Sequence, residues 1–202
     1  MQFRMSKRTL SFYRTFAQSG RVIAFDTETT GISCDDEIIQ IAAVEYVAGE
    51  RTRSLDLYIK PTCPIHPQAE AVHHISQEFL DVHGLAPVDA LAQFFEFLGT
   101  DVLAVGHNVN FDLRMLKHEC RKFKFKPPAA KIDYGDTLAL ARKLIPGLPH
   151  YRLGILIEAL ELSGSNSHDA LDDAAACGEL FFDLAHRIPT PGEYTYLPLF
   201  EG

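Results

Sequence analysis

Three successive β-strand patterns, followed by a change to alternating strand and helix patterns, constrain the fold of this chain most strongly. The apolar run 21–26 (RVIAFD) ends in a turn at Gly31, and strand candidates rich in Ile, Val and Leu follow over 37–48 and 52–60. In the third candidate, apolar side chains alternate with polar ones at a period of two residues. The short links between these strands predict an antiparallel meander.

Beyond residue 86, helix patterns alternate with short strand patterns. The strand candidates cover 102–108 and 131–135, and the helix candidates cover 87–98, 110–122, 136–147, 151–160 and 168–187. This order predicts an α/β fold with a five-stranded mixed sheet, in which parallel strands extend the antiparallel meander and helices flank it. We expect one domain over 21–188, preceded by a basic segment over 1–20 and followed by a tail over 189–202.

Charge is distributed unevenly along the chain. The net charge of −8 argues against a polyanionic partner, but 12 of the 19 Lys and Arg residues fall within 1–21 and 114–131. These segments are consistent with guiding a nucleic-acid strand and equally with solvated helix and loop faces. The four cysteines form no C-x-x-C pair, residues 1–20 lack the continuous apolar run typical of a signal peptide, and no apolar run of ~20 residues occurs. We therefore expect a cytoplasmic protein with reduced thiols and no membrane contact.

Asp26 and Glu28 follow the first apolar run directly, two residues apart. Side chains on a strand repeat with a period of two, so both carboxylates point to one face of the sheet, whereas Thr27 points away. Such a pair can hold one divalent cation, although two surface acids closing a strand would have the same spacing.

Asp112 follows a strand and a Gly-His-Asn turn, at the start of a helix candidate. His168 and Asp173 lie five residues apart near the start of the last helix candidate, where Asn166 and Ser167 are available as caps. Taken singly, each acid is also explained as a first-turn residue that interacts with the helix dipole.

The four acids carry more weight together than singly. Carboxylates that converge within a few Å repel one another by ~4 kcal/mol per close pair at an intermediate dielectric, so such a cluster persists mainly because cations neutralise it. Asp26, Glu28, Asp112 and Asp173 together carry four negative charges, which two Mg²⁺ or Mn²⁺ ions would balance. His168 adds a proton acceptor.

The segments FDTETTG, HNVNFD and HDALDD resemble, in this order, the three motifs of the DEDDh (DnaQ-like) 3′–5′ exonucleases. The resemblance covers roughly 20–186, is strongest to the epsilon proofreading and exonuclease X-like branches, and implies a ribonuclease H-like fold. The segments PQAEAVHHIS and DTLALARKLIPG resemble further parts of the family pattern. His74 departs from it, because many members have Gly at this position.

The resemblance also implies a role for each site residue. Asp26 would bridge two metal ions, Glu28 and Asp173 would complete the site of the attacking water, Asp112 would hold the second ion, and His168 would act as general base. The implied contacts to the terminal nucleotide are Thr27, Thr29, Val72 and His73. His107 and Asn108 are expected to order the turn before Asp112.

Three functions follow as hypotheses. The first is a metal-dependent 3′–5′ exonuclease that releases nucleoside 5′-monophosphates from DNA, in proofreading or repair, with single-stranded DNA as the favoured substrate. The second is an exoribonuclease that trims RNA ends, since discrimination depends on contacts to the 2′-hydroxyl. The third is a non-catalytic module that binds nucleic acid or a polymerase.

Four weaker patterns remain. The tail segment Tyr196–Phe200 (YLPLF) resembles a peptide that docks on the bacterial sliding clamp, with Tyr in place of Gln. Cys63 and His66 have no second Cys nearby, and the prolines of this region predict an irregular loop, which argues against a zinc site. The run 121–126 (RKFKFK) fits either stacking on a single nucleic-acid strand or a helix end whose phenylalanines return to the core, and we expect the second. The basic segment 1–20 fits either a helix that caps the sheet or an arm that binds a partner.

Overall fold

The computed structural model describes residues 2–5, 10–33, 35–129 and 131–189. The strands are β1 (Gln2–Met5), β2 (Arg21–Thr29), β3 (Ile38–Val47), β4 (Glu50–Tyr58), β5 (Leu103–Gly106) and β6 (Lys131–Asp136). The helices are α1 (Leu10–Ser19), α2 (Pro67–His73), α3 (Gln77–His83), α4 (Pro87–Leu98), α5 (Asn110–Lys122), α6 (Thr137–Leu144), α7 (Leu153–Ala159) and α8 (Ala170–His186).

The strands form one mixed sheet in the order β1-β6-β5-β2-β3-β4. Strands β2, β3 and β4 pair antiparallel, and β5 and β6 extend the sheet from β2 in parallel. The predicted five-stranded mixed sheet, an antiparallel meander extended by parallel strands, is therefore present. The basic N-terminal segment adds a sixth strand, because β1 pairs in parallel with β6 at the edge of the sheet.

Side chains of β2 alternate between two apolar layers. Val22 and Ala24 belong to the layer that contains the inner face of α8, whereas Ile23 and Phe25 belong to the layer under α4 and α5. Because this alternation continues to the end of the strand, Asp26 and Glu28 lie on the α8 side, as their spacing predicts.

Residues 61–66 form the predicted irregular loop, but helices α2 and α3 follow it, and neither of them was predicted from the sequence. Pro67 stands at the first turn of α2, where its missing N–H costs nothing, so the proline opens a helix here. The first turn of α3 is capped by the Ser76 side chain, which accepts a hydrogen bond from the Phe79 N–H.

Two further local expectations are resolved. The segment 10–19 is a helix that packs on the sheet through Tyr13 and Ala17, as the capping alternative proposed. Phe125 stacks on Phe95, with ring centroids 5.7 Å apart, so this phenylalanine returns to the core.

None of the described helices combines the length and the apolar character needed to cross a bilayer.

Candidate metal centre and nucleotide cleft

The two carboxylates of β2 lie beyond the point where the neighbouring strand β5 stops pairing. Ala24, opposite Val105, is the last residue of β2 paired with β5, whereas pairing with β3 continues through Asp26 and Glu28. One edge of β2 is therefore open beside both acids.

Asp112 fills this open edge from the first turn of α5. It is 3% exposed, and the Thr27 hydroxyl donates a hydrogen bond of 2.7 Å to its Oδ1. Met115 and Leu116 pack α5 against the sheet face opposite α8, so Asp112 reaches the cluster past the end of β5. The hydroxyl of Thr27, predicted as a contact to the nucleotide, is thus directed at Asp112.

The turn before α5 is held by side chains from the next strand and helix. His107 makes contacts of 2.9 Å from Nδ1 to the Thr137 hydroxyl and 2.8 Å from Nε2 to the Tyr151 carbonyl. Asn108 has a φ of 62°, and its N–H donates to Asp136 Oδ1 at 2.9 Å. These contacts tie the turn that carries Asp112 to α6 and to the segment before α7.

The segment before α8 wraps around Asp173. Asn166 Nδ2 donates to one carboxylate oxygen of Asp173 at 2.5 Å, and the Ser167 N–H donates to the other at 3.1 Å. His168 is exposed and has a φ of 58°, so the chain reverses here before the helix begins. The cap is Asp169, whose side chain accepts from the first-turn N–H groups; the prediction of Asn166 or Ser167 as caps was wrong because those residues bind Asp173 and Asp172 instead.

Gln40 connects the sheet to the start of α8, and sequence reasoning missed it. It lies opposite Glu28 in the register of β2 and β3 and is fully buried. Its Nε2 donates to Asp169 at 3.1 Å and to Asp56 at 2.9 Å, and its Oε1 accepts from the Ala170 N–H at 3.2 Å. The available signal was a single amide within the otherwise apolar run IIQIAA.

All four acids of the predicted cluster have raised pKa values. Burial raises the pKa of Glu28 to about 8, with further repulsion from Asp173 and Asp112. Burial also raises the pKa of Asp112 to about 7, although hydrogen bonds from Thr27 oppose the shift. Burial, followed by repulsion from Asp112, Glu28 and Asp173, holds the pKa of Asp26 well above its usual range, and burial raises that of Asp173.

The donor set fits hard divalent cations. Among the described residues, no Lys or Arg lies within ion-pair distance of these four acids. Glu28, His168 and Asp173 each place one ligand atom within 4.8 Å of the others. Clustered carboxylates that no basic side chain neutralises are the oxygen ligands that Mg²⁺ and Mn²⁺ prefer.

An open cleft of about 500 Å³ adjoins the cluster. Its lining includes Thr27, Glu28, Thr29, Val72, His73 and Phe111. The His73 ring is buried, its Nδ1 accepts from the Ile75 N–H, and its Nε2 makes no well-formed hydrogen bond with a described residue. Phe111 was not identified from the sequence as a cleft residue, because its place there depends on how α5 meets the turn after β2.

Cys63 and His66 make contacts that differ from those of a zinc site. His66 pairs with Asp36 at 3.5 Å, and the Cys63 sulfur contacts the Thr30 hydroxyl at 3.6 Å. Neither belongs to a group of potential metal ligands found among the described residues.

Comparison with known proteins places this architecture in a family. The RNase_T family, described as Exonuclease, matches residues 23–181. The 3′–5′ exonuclease DinG of Bacillus subtilis (strain 168) is 34% identical over 170 residues, which are 83% of this chain and 18% of DinG. DNA polymerase III subunit epsilon of Treponema pallidum (strain Nichols) is 36% identical over 173 residues, which are 84% of this chain and 79% of that protein.

Solved structures agree. Exonuclease X in complex with 5′ overhanging duplex DNA matches with a TM-score of 0.65 and 28% identity, over 82% of this chain and 90% of that chain. E. coli Exonuclease I in complex with a dT13 oligonucleotide matches with a TM-score of 0.74 and 21% identity, over 84% of this chain and 42% of that chain, and supports the fold. The predicted ribonuclease H-like fold and the DnaQ-like resemblance are confirmed, and the chain belongs to the exonuclease family.

Proposed function

We propose that this chain removes nucleoside 5′-monophosphates one at a time from DNA 3′ ends, using two Mg²⁺ or Mn²⁺ ions. The observation that carries the proposal is the cluster of Asp26, Glu28, Asp112 and Asp173, four acids with raised pKa values and no basic partner among the described residues. An exposed imidazole and an open cleft lie next to this cluster.

The four acids would hold the ions, which, when bound, supply an activated water and charge stabilisation at both oxygens of an in-line displacement. Asp112, Glu28 and Asp173 all contribute to the raised pKa of Asp26, so Asp26 lies near the other three acids, which suits a ligand shared by both ions. Asn166 and Ser167 fix both oxygens of Asp173, and Thr27 fixes Asp112, so these carboxylates are oriented before an ion arrives.

His168 would take the proton from the attacking water. It lies at the exposed mouth of the cluster, where its ring nitrogen comes within 4.8 Å of ligand oxygens of Glu28 and Asp173. Its left-handed backbone conformation turns the chain between the Asp173-binding segment and α8. A general base in this position contributes typically 10²–10⁴-fold to the rate.

The cleft would hold the terminal nucleotide. Val72 and Phe111 supply apolar surface for a base or sugar, and Thr29 and His73 supply polar groups. His74, where many family members have Gly, is the C-cap of α2 with a φ of 58°, a conformation that glycine adopts most easily. His74 therefore keeps the backbone shape while adding an imidazole next to His73.

The relatives favour DNA over RNA as the substrate. The similar proteins include a DNA polymerase III subunit and a solved complex with duplex DNA. A polymerase is therefore the partner we propose, whereas the clamp-docking prediction for Tyr196–Phe200 lies outside the described residues.

A time course with 5′-labelled, 3′-tailed strands of one sequence tests the proposal. DNA and RNA versions are incubated with Mg²⁺, Mn²⁺ or EDTA, and Asp26→Asn is the matched control. We expect a metal-dependent ladder that shortens from the 3′ end of DNA and is absent with Asp26→Asn. A ladder on RNA alone would establish the exoribonuclease alternative, and no cleavage of either strand would contradict the proposal.

A further inference from the structure

The outer face of α5 carries a row of basic side chains. Arg114, Lys117 and Arg121 are exposed and lie within an arc of about 60° on the helix, given 3.6 residues per turn. The buried residues of this helix, which are Asp112, Met115, Leu116 and Glu119, face the other way. We call Arg114, Lys117 and Arg121 the α5 basic row.

No exposed acid balances this row on its own helix. The acid between these residues, Glu119, is 1% exposed and accepts a hydrogen bond from the Ile38 N–H on the inner side. Among the described residues, the ion pairs of the protein include none of the three cations, whereas the neighbouring Lys122 is paired with Glu37. The row is thus a local positive surface on a chain with a net charge of −8.

The row begins at the rim of the cleft. Arg114 donates to the Ile32 carbonyl at 3.3 Å, and its guanidinium lies 5.1 Å from the centroid of the Phe111 ring. Ile32 and Phe111 both line the cleft. From there the row runs along α5 away from the metal centre, because Lys117 and Arg121 follow Arg114 toward the end of the helix.

We propose that the α5 basic row binds the phosphodiester backbone of the substrate strand upstream of the nucleotide held in the cleft. From Arg114 to Arg121 the helix rises about 10 Å, which corresponds to roughly three phosphates at about 3.4 Å per nucleotide of a stacked strand. Arginine and lysine side chains spaced along one face suit such a regular polyanion. The inference rests on the proposed function for the position of the 3′ end.

The test compares two triple variants of the full chain. In the row variant Arg114→Gln, Lys117→Gln and Arg121→Gln are combined; in the control variant Arg51→Gln, Lys60→Gln and Lys143→Gln remove the same charge from exposed positions elsewhere. The substrates are a 16-nucleotide DNA strand and a dinucleotide, which has no phosphates to reach the row.

We expect the row variant to raise the KM for the 16-nucleotide strand roughly tenfold or more, while kcat/KM for the dinucleotide stays within about twofold of wild type. In anisotropy measurements in EDTA, the slope of log K against log salt for the long strand should fall by about 2, or ~0.7 per lost phosphate contact. The control variant should show neither effect.

Each outcome bears on the inference separately from the proposed function. Equal losses of kcat/KM on both substrates would show that the row acts on the cleft and not on upstream phosphates, which would overturn the inference. A row variant that binds the long strand as tightly as the control variant does would also overturn it. A wild-type protein that does not bind the long strand would also overturn it. A chain that binds through the row but hydrolyses neither substrate would leave the row in place and refute the proposed exonuclease activity.

Discussion

The paired strands β2 and β3 carry acids at both ends: the buried Glu45 at one end, and the half-buried Asp26 and Glu28 at the other. The surroundings of these acids shift their pKa values in opposite directions. At the start of β2, Glu45 lies opposite Ile23 and accepts hydrogen bonds from Arg21 at 2.5 Å and from Arg53 at 2.8 Å. These partners hold the pKa of Glu45 at about 2, chiefly through Arg53. At the other end, burial raises the pKa of Glu28 to about 8.

This difference in pKa distinguishes an acid that stabilises the fold through ion pairs from acids that we propose bind metal ions. The Arg21 guanidinium also donates to the carbonyls of Phe97 and Leu98, so the ion pair at Glu45 ties α4 to the sheet. The acid cluster around Asp26 has no described basic side chain to do the same. Unpaired buried charges destabilise a fold, so these acids must be neutralised either by protons, as their raised pKa values allow, or by bound divalent ions, as we propose.

Asp26→Asn should cause the largest change. We expect turnover to fall at least roughly 10⁴-fold, the scale seen when one member of a cooperating catalytic set is removed. The melting temperature of the metal-free protein should stay equal or rise, because one repelling charge is gone. Steady-state kinetics and thermal melts in EDTA measure both; a clear loss of metal-free stability would mean that Asp26 is a structural acid like Glu45.

His168→Ala should reduce kcat roughly 10²–10⁴-fold through loss of the proton acceptor, with metal affinity lowered much less. His186→Ala, at the far end of α8, is the matched control and should have no effect. A variant that retains more than a tenth of wild-type kcat would contradict the assignment of His168 as general base.

Gln40→Leu tests whether the start of α8 must be fixed for catalysis. We expect kcat or metal affinity to fall about 10–100-fold, since the Asp169 and Ala170 contacts that position His168 and Asp173 are lost. Gln93→Leu, at an exposed position on α4, serves as the control. Equal kcat and equal metal affinity in Gln40→Leu, with only stability lost, would limit Gln40 to a structural role.

Glu45→Gln should behave in the opposite way to Asp26→Asn. We expect a loss of about 2 kcal/mol in the free energy of unfolding, below the 3–5 kcal/mol of a fully buried pair because Arg53 is 53% exposed. The kcat measured well below the melting temperature should be unchanged. Urea denaturation gives the first quantity, and a loss below about 0.5 kcal/mol would contradict the comparison.

The two ends should also respond oppositely to pH. The raised pKa values of Glu28 and Asp112 mean that the metal-free folded state binds more protons than the unfolded state, so their contribution is present below about pH 4 and is lost as pH rises through 7 to 8. The contribution of Glu45 is present above about pH 4.5 and is lost as pH falls toward 2. Urea unfolding in EDTA at pH 5.5 and pH 8 should show stability lower by a few kcal/mol at pH 8, at about 1.4 kcal/mol per pKa unit, and Glu28→Gln should reduce this difference.

Local patterns predicted most of the fold, because each strand of the meander carries its own signal. The run VIAF followed by Asp26 and Glu28 predicted both a buried strand and the face of its acids. The four residues of β1 are too short to show a period, and their pairing with β6 depends on contacts more than 120 residues away. Helix α2 was not predicted, because a proline at a helix start cannot be distinguished by sequence alone from a proline within a loop.

The same contrast between local patterns and long-range contacts applies to the candidate site. The four acids and His168 could be predicted because their residue types and spacing are those of divalent-metal sites. Their supports could not, since the bond from Thr27 to Asp112 spans 85 positions and that from Gln40 to Asp169 spans 129. Such contacts exist only after the sheet has brought α5 and α8 to the end of β2.

Whether divalent ions neutralise the acid cluster can be measured by calorimetric titration of Mn²⁺ into the metal-free protein, with Asp26→Asn and Glu45→Gln as comparisons. For wild type and Glu45→Gln, but not for Asp26→Asn, we expect about two ions per chain, proton release between pH 6 and 8, and stabilisation of ~2.7 kcal/mol at a hundredfold excess over Kd. Absence of binding to wild type, or equal binding by Asp26→Asn, would contradict the claim that divalent ions neutralise the acid cluster at the end of β2.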